Sequence, residues 1–103
     1  MQDEEIKHFL TQNFGLTEFQ GLPDAESEYL KHIQLLLSKK IEFMINTDIE
    51  KLLQILYRID VPQGESDAAF DLGEIKKISF KLAERIIARQ LQKIDYARKF
   101  YNK

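Results

Sequence analysis

The side chains best suited to chemistry are few, because the chain has two histidines and no cysteine. His8 follows Glu5 by three residues, and a Glu-x-x-His pair is half of the ligand pattern of a di-iron helical bundle. Glu28 likewise lies one helical turn before His32. A di-iron site needs a second such pair and two further core glutamates, whereas this chain has one motif in a very acidic segment. We therefore expect no metal and no cofactor.

Nucleophilic catalysis and phosphate binding have weaker signals. No serine lies in a nucleophile elbow, and neither histidine has a partnership with a serine that the sequence reveals. The four glycines are dispersed, so there is no glycine-rich phosphate loop. Carboxylates stand where helix caps and solvated faces would place them. The expectation is that the protein is not an enzyme, and no small-molecule substrate is identified.

The last eleven residues, KIDYARKFYNK, interleave basic and aromatic side chains. Basic residues contact phosphates, and aromatic rings can stack on unpaired bases. The candidate nucleic-acid contacts are Lys93, Arg98, Lys99 and Lys103. Against this role, the sequence pI is about 5.7, and lysines near a helix C-terminus also complement its dipole. A nucleic-acid-associated accessory protein is therefore the alternative, behind a protein interaction role.

Charge is segregated along the chain although the net charge is only −2. Residues 1–30 carry seven acidic residues and one basic residue, while residues 74–103 carry three acidic and nine basic residues. The two ends can attract each other within one fold or across a dimer. Alternatively, the basic C-terminal segment faces an acidic partner.

Size and composition indicate one folded helical domain over residues 1–103. Hydrophobic residues make up 44% and charged residues 31% of the 103 residues, which is typical of a globular chain. The lack of cysteine is compatible with a reducing cytoplasm. The acidic N-terminus lacks a signal-peptide pattern, and no apolar run approaches the ~20 residues that span a bilayer. We expect a cytoplasmic protein without a membrane partner.

Four helices are predicted to position these residues, at 3–14, 23–46, 48–60 and 72–101. The 48–60 helix is apolar on more than one side, so we expect it to be buried between the two long helices. Thr47 and Glu50 form a capping box at its start, and Pro62 ends it. Residues 62–70 are predicted to be a mobile loop because they combine Pro62, Gly64 and Ser66. The predicted fold is all-α and four-helix bundle-like, with the first helix as a lid.

The last helix is predicted to be too long for its own chain to cover. At ~44 Å it exceeds helices of ~20 and ~35 Å, and it carries apolar residues with partly heptad-like spacing. The candidate partner interface is Phe80, Ile87, Leu91, Ile94 and Tyr101. We therefore predict a protein–protein interaction or structural module that forms a homodimer or joins another protein subunit.

Two segments carry a resemblance. At LLQILYRIDVP (Leu52 to Pro62) and AERIIARQLQKI (Ala83 to Ile94), the chain resembles small uncharacterised all-helical bacterial proteins. The resemblance covers residues 47–95. It implies a bacterial cytoplasmic protein and carries over no activity and no site.

Overall fold

The computed structural model describes residues 2–17 and 26–101, and these segments contain helices and no strands. The all-α class is confirmed, but the described part of the chain has five helices rather than the predicted four. They are α1 (Gln2–Phe14), α2 (Glu26–Thr47), α3 (Ile49–Arg58), α4 (Gln63–Phe70) and α5 (Ile75–Tyr101). Pro23, the predicted start of α2, lies outside the described residues.

The core lies mainly between α2 and α5, which make the most extensive helix contact. The helices α1 and α4 also pack on α5, and α3 packs on α2. Each helix contributes one buried stripe at helical spacing. The fully buried large apolar side chains are Ile6, Leu10, Ile33, Leu37, Ile41, Leu52, Ile55, Leu82 and Ile86.

Gly15 directly follows α1 and ends it. Its φ of +68° lies in the left-handed region that glycine adopts without steric cost. Its N–H donates to the Thr11 carbonyl at 3.0 Å. The chain therefore leaves α1 with its final carbonyls partly satisfied and with Phe14 buried in the core.

The predicted capping box at the start of α3 is wrong by one residue. Thr47 still belongs to α2, and its hydroxyl donates to the Phe43 carbonyl at 2.8 Å. Asp48 is the N-cap, because its carboxylate accepts from the Lys51 backbone N–H at 3.2 Å. Both residue types cap helices well, and the hydroxyl is already engaged in the preceding helix.

The α3 helix is amphipathic and is not buried between the two long helices. Leu52, Ile55, Leu56 and Ile59 are buried, whereas Ile49, Leu53 and Tyr57 are exposed. The exposed residues recur at four-residue spacing and form one outward stripe. The prediction of burial on several sides was therefore wrong, because it counted these three residues as core.

A Schellman turn ends α3. Asp60 has a φ of +63°, and its N–H donates to the Tyr57 carbonyl at 3.2 Å. The Val61 N–H donates to the Leu56 carbonyl at 3.2 Å, and both of these side chains are buried. This is the hydrogen-bond pattern and apolar contact of the Schellman motif.

The predicted mobile loop at 62–70 is instead the helix α4. Pro62 is the N-cap of α4, and its carbonyl accepts from the N–H groups of Glu65 and Ser66 at 3.0 and 3.1 Å. A backbone N–H is not needed for helical hydrogen bonding at this position, so proline is tolerated there. Ser66 and Ala69 are buried. These small side chains occupy one helical face, and α4 packs against α5. In the sequence, Pro62, Gly64 and Ser66 made the segment resemble a loop.

The orientation of α3 predicts opposite outcomes for two adjacent leucines. Leu52→Ala should lower the free energy of unfolding by about 2–5 kcal/mol, because it leaves a cavity in the core. Leu53→Ala should change it by less than about 0.5 kcal/mol, because Leu53 is 46% exposed. Urea unfolding followed by circular dichroism measures both. Equal losses at the two positions would mean that α3 is covered on both faces.

Candidate interaction surface

An open apolar groove of about 630 Å³ lies between α2 and the start of α5. Phe80 of α5 is 43% exposed, Leu35 of α2 is 48% exposed, and Leu72 from the α4–α5 turn is 47% exposed. All three line the groove. We call this surface, together with its polar lining residues, the α2/α5 groove.

The α2 wall of the groove is one helical face. Leu35, Ser38, Lys39 and Glu42 all line it, and their spacing of three, four and seven residues places them on the same side. Ser38 is only 9% exposed, and its hydroxyl donates to the Leu35 carbonyl at 2.9 Å.

The α5 wall is held against α2 by packing and by one side-chain hydrogen bond. The Gln34 amide donates to the Phe80 carbonyl at 3.2 Å. Leu72 enters the groove because α5 begins only at Ile75, after a turn in which Gly73 has a φ of +83°. Three exposed apolar side chains from separate segments are thereby brought together.

The charged lining of the groove is mainly positive. Lys39, Lys76 and Lys77 line it together with a single acid, Glu42. Lys77 lies 3.5 Å from Glu74, and both side chains are well exposed, so this pair is weak. Within the described segments, Lys39 and Lys76 make no ion pair or side-chain hydrogen bond. The ammonium groups of Lys39 and Lys76 are therefore available to a ligand. They line the same groove as Leu35, Leu72 and Phe80, which we call the apolar floor.

The predicted partner interface along α5 divides into three parts. Phe80 is exposed in the groove, whereas Ile87 is 7% exposed and belongs to the core. Leu91 and Ile94 are partly buried and pack against that core. The side chain of Tyr101 lies outside the described residues. Because other residues of the same chain pack against them, Ile87 is nearly inaccessible to a partner, and Leu91 and Ile94 expose less apolar surface for binding.

Of the four candidate nucleic-acid contacts, the structure describes the side chains of Lys93 and Lys99. The ammonium of Lys93 donates to the Ile59 carbonyl at 2.9 Å and lies 3.9 Å from Asp60. Lys93 thereby caps the C-terminal end of α3. Lys99 is exposed and pairs with Asp95 at 3.1 Å. The side chain of Arg98, and Lys103 as a whole, lie outside the described residues.

Arg85 joins α4 to α5. Its guanidinium hydrogen-bonds to Glu84 and, at 3.1 Å, to Glu65. These two bonds raise the pKa of Arg85, and the hydrogen bonds from Lys81 and Arg85 lower the pKa of Glu84. The cluster is partly exposed and all its charges are paired, so its role is to hold α4 in place.

The residues that suggested chemistry lie apart from the groove. His8 and His32 are both exposed, and a ring nitrogen of His32 lies 3.0 Å from the Glu28 carbonyl oxygen. Among residues 2–17 and 26–101, no three His, Asp or Glu side chains are grouped so that they could hold a metal ion. Ser79 is buried, and its hydroxyl has no hydrogen-bond partner in that part of the chain.

Phe80 was predicted from the sequence as a candidate interface residue, whereas the other residues of the groove were not. Leu35 lies off the buried stripe of α2, and Leu72 was assigned to the first turn of the last helix. The available signal was local: Leu35 is followed four residues later by Lys39, and Phe80 is preceded by Lys76 and Lys77. Only the packing of α2 on α5 shows that these fragments form one surface.

Every helix in the described segments is too short or too polar to cross a lipid bilayer. Comparison with protein-family models, with curated proteins and with solved structures found no match for this chain.

Proposed function

We propose that this chain is a non-enzymatic protein–protein interaction module and that the α2/α5 groove is its contact surface. The observation that carries the proposal is the exposure of Phe80, Leu35 and Leu72 around one groove. Exposed apolar side chains that are clustered, rather than scattered, mark sites where another molecule docks. The partner is another protein or a second copy of this chain.

The groove has the form that suits a protein segment. It is open to solvent, and its lining combines three apolar side chains with charged and polar ones. Interfaces are organised in this way, with an apolar centre that excludes water and a polar rim. Aromatic residues, phenylalanine among them, are enriched in such interfaces.

Phe80→Glu is the variant that tests the groove most simply. A charge at this position should reduce capture of a specific partner by at least about tenfold, because it removes an exposed aromatic contact and places a carboxylate among the apolar lining residues. The tagged full-length chain is used to capture proteins from a lysate of its source cells, and bound proteins are quantified by mass spectrometry. The variant should keep the far-UV circular dichroism of the wild type.

Leu53→Glu is the matched control. Leu53 lies on α3, outside the groove, and its side chain is about as exposed as that of Phe80. It should retain the partner that Phe80→Glu loses. If Leu53→Glu abolished capture and Phe80→Glu did not, the contact surface would be the outer stripe of α3. If no protein distinguished wild type from Phe80→Glu, the proposal would fail.

The second candidate function is a nucleic-acid-associated accessory role at the C-terminal end of α5. Tyr96 is 71% exposed there, and Lys99 is exposed near it. This role predicts that Lys99→Glu weakens binding of a fluorescent 20-nucleotide single-stranded DNA several-fold at low salt. Fluorescence anisotropy measures it, with Lys51→Glu on α3 as the control. Lack of binding by the wild type at 50 mM salt removes this candidate.

A further inference from the structure

We infer that the α2/α5 groove takes an acidic amphipathic helix from a different protein. This inference rests on the proposed function and specifies the partner. Its basis is the combination of an apolar floor with a lining of three lysines and one glutamate. The floor selects apolar side chains, and the lysines select carboxylates beside them.

The secondary structure of the occupant follows from the walls of the groove. In the described part of the chain there is no strand, so an extended peptide has no sheet edge there to join. A groove between two packed helices instead accepts the apolar face of a third helix. The apolar contacts of such a helix come from residues at positions i, i+3 or i+4, and i+7, so this is the pattern expected of the occupant.

Charge argues against a second copy of the chain as the occupant. A two-fold interface places the same patch on both sides. Across this groove it would place one lining of three lysines and one glutamate opposite another lining with the same excess of positive charge. Like charges that face each other at an interface disfavour that pairing. A carboxylate-rich partner instead pairs with Lys39 and Lys76, which have no ion-pair partner in the described segments.

A selection from a random peptide library tests the inference without assuming a sequence. Displayed 16-residue peptides are selected on the full-length chain, and peptides that also bind Phe80→Glu are removed. Leu35→Glu, on the other wall, is a second counter-selection variant in case Phe80→Glu does not fold. The expected peptides carry apolar residues at i, i+3 or i+4, and i+7, and have a clear excess of aspartate and glutamate.

Binding of the best selected peptide is then measured by fluorescence anisotropy. Lys39→Glu and Lys76→Glu should each raise its Kd by about three- to tenfold at 50 mM salt, and the effect should shrink at 500 mM salt because exposed charges are screened. Lys51→Glu, an exposed lysine on α3 outside the groove, should leave the Kd unchanged.

The outcomes separate the partner chemistry from the docking site. Peptides that depend on Phe80 but are neutral or basic would overturn the acidic partner and leave the groove as a docking site. If the selection yielded no Phe80-dependent peptide, both the acidic partner and the docking site would be overturned.

Light scattering provides the remaining test, since a mass of twice 12.2 kDa that returns to the monomer value in Phe80→Glu would make a second copy the occupant. Phe80-dependent pelleting with phosphatidylserine vesicles would make it a membrane surface.

Discussion

The packing of α2 against α5 is the constraint on which the rest of the structure depends. It buries stripes of isoleucine and leucine on both helices, and burial of such side chains is the main favourable term in folding. Once Ile33 and Leu37 face inward on α2, Leu35 between them faces outward. On α5, Phe80 likewise lies outside the stripe that contains Leu82 and Ile86. The groove is therefore the outer margin of the contact that forms the core.

Periodicity predicted the fold class, and it placed both ends of α1, α3 and α5 and the last residue of α2 within three residues of the observed ones, because long amphipathic stripes are local signals. It misassigned α3, because Leu53 and Tyr57 are apolar residues that no neighbour covers. It missed α4, because proline, glycine and serine indicate a loop when only local preferences are considered. Helix α4 forms in the tertiary setting, where Ser66 and Ala69 are buried and Glu65 pairs with Arg85. Both errors arise because the burial of a segment depends on which other helices pack against it, and the local sequence of the segment does not specify that.

The candidate site was predictable only in part, for the same reason. The spacing of Phe80, Ile87 and Ile94 described one face of one helix and treated its members as equivalent. Neighbouring helices cover Ile87 fully, cover Ile94 partly and leave Phe80 open. Leu35 joins Leu72 and Phe80 only through the packing of α2 on α5, two helices that are far apart in sequence. Lys39, Lys76 and Lys77 can be recognised as parts of one surface only once Leu35, Leu72 and Phe80 are known to lie together.

Because these 103 residues contain no cysteine, introduced thiols permit a direct measurement of which part of α5 its own chain covers. Phe80→Cys and Ile87→Cys each introduce a single thiol, and their rates of reaction with a disulfide reagent report accessibility. The thiol at position 80 should react within about tenfold of its rate in denaturant, and the thiol at position 87 at least about 100-fold more slowly than in denaturant. Equal protection at both positions, or equal reactivity, would contradict an α5 that is sealed at Ile87 and open at Phe80.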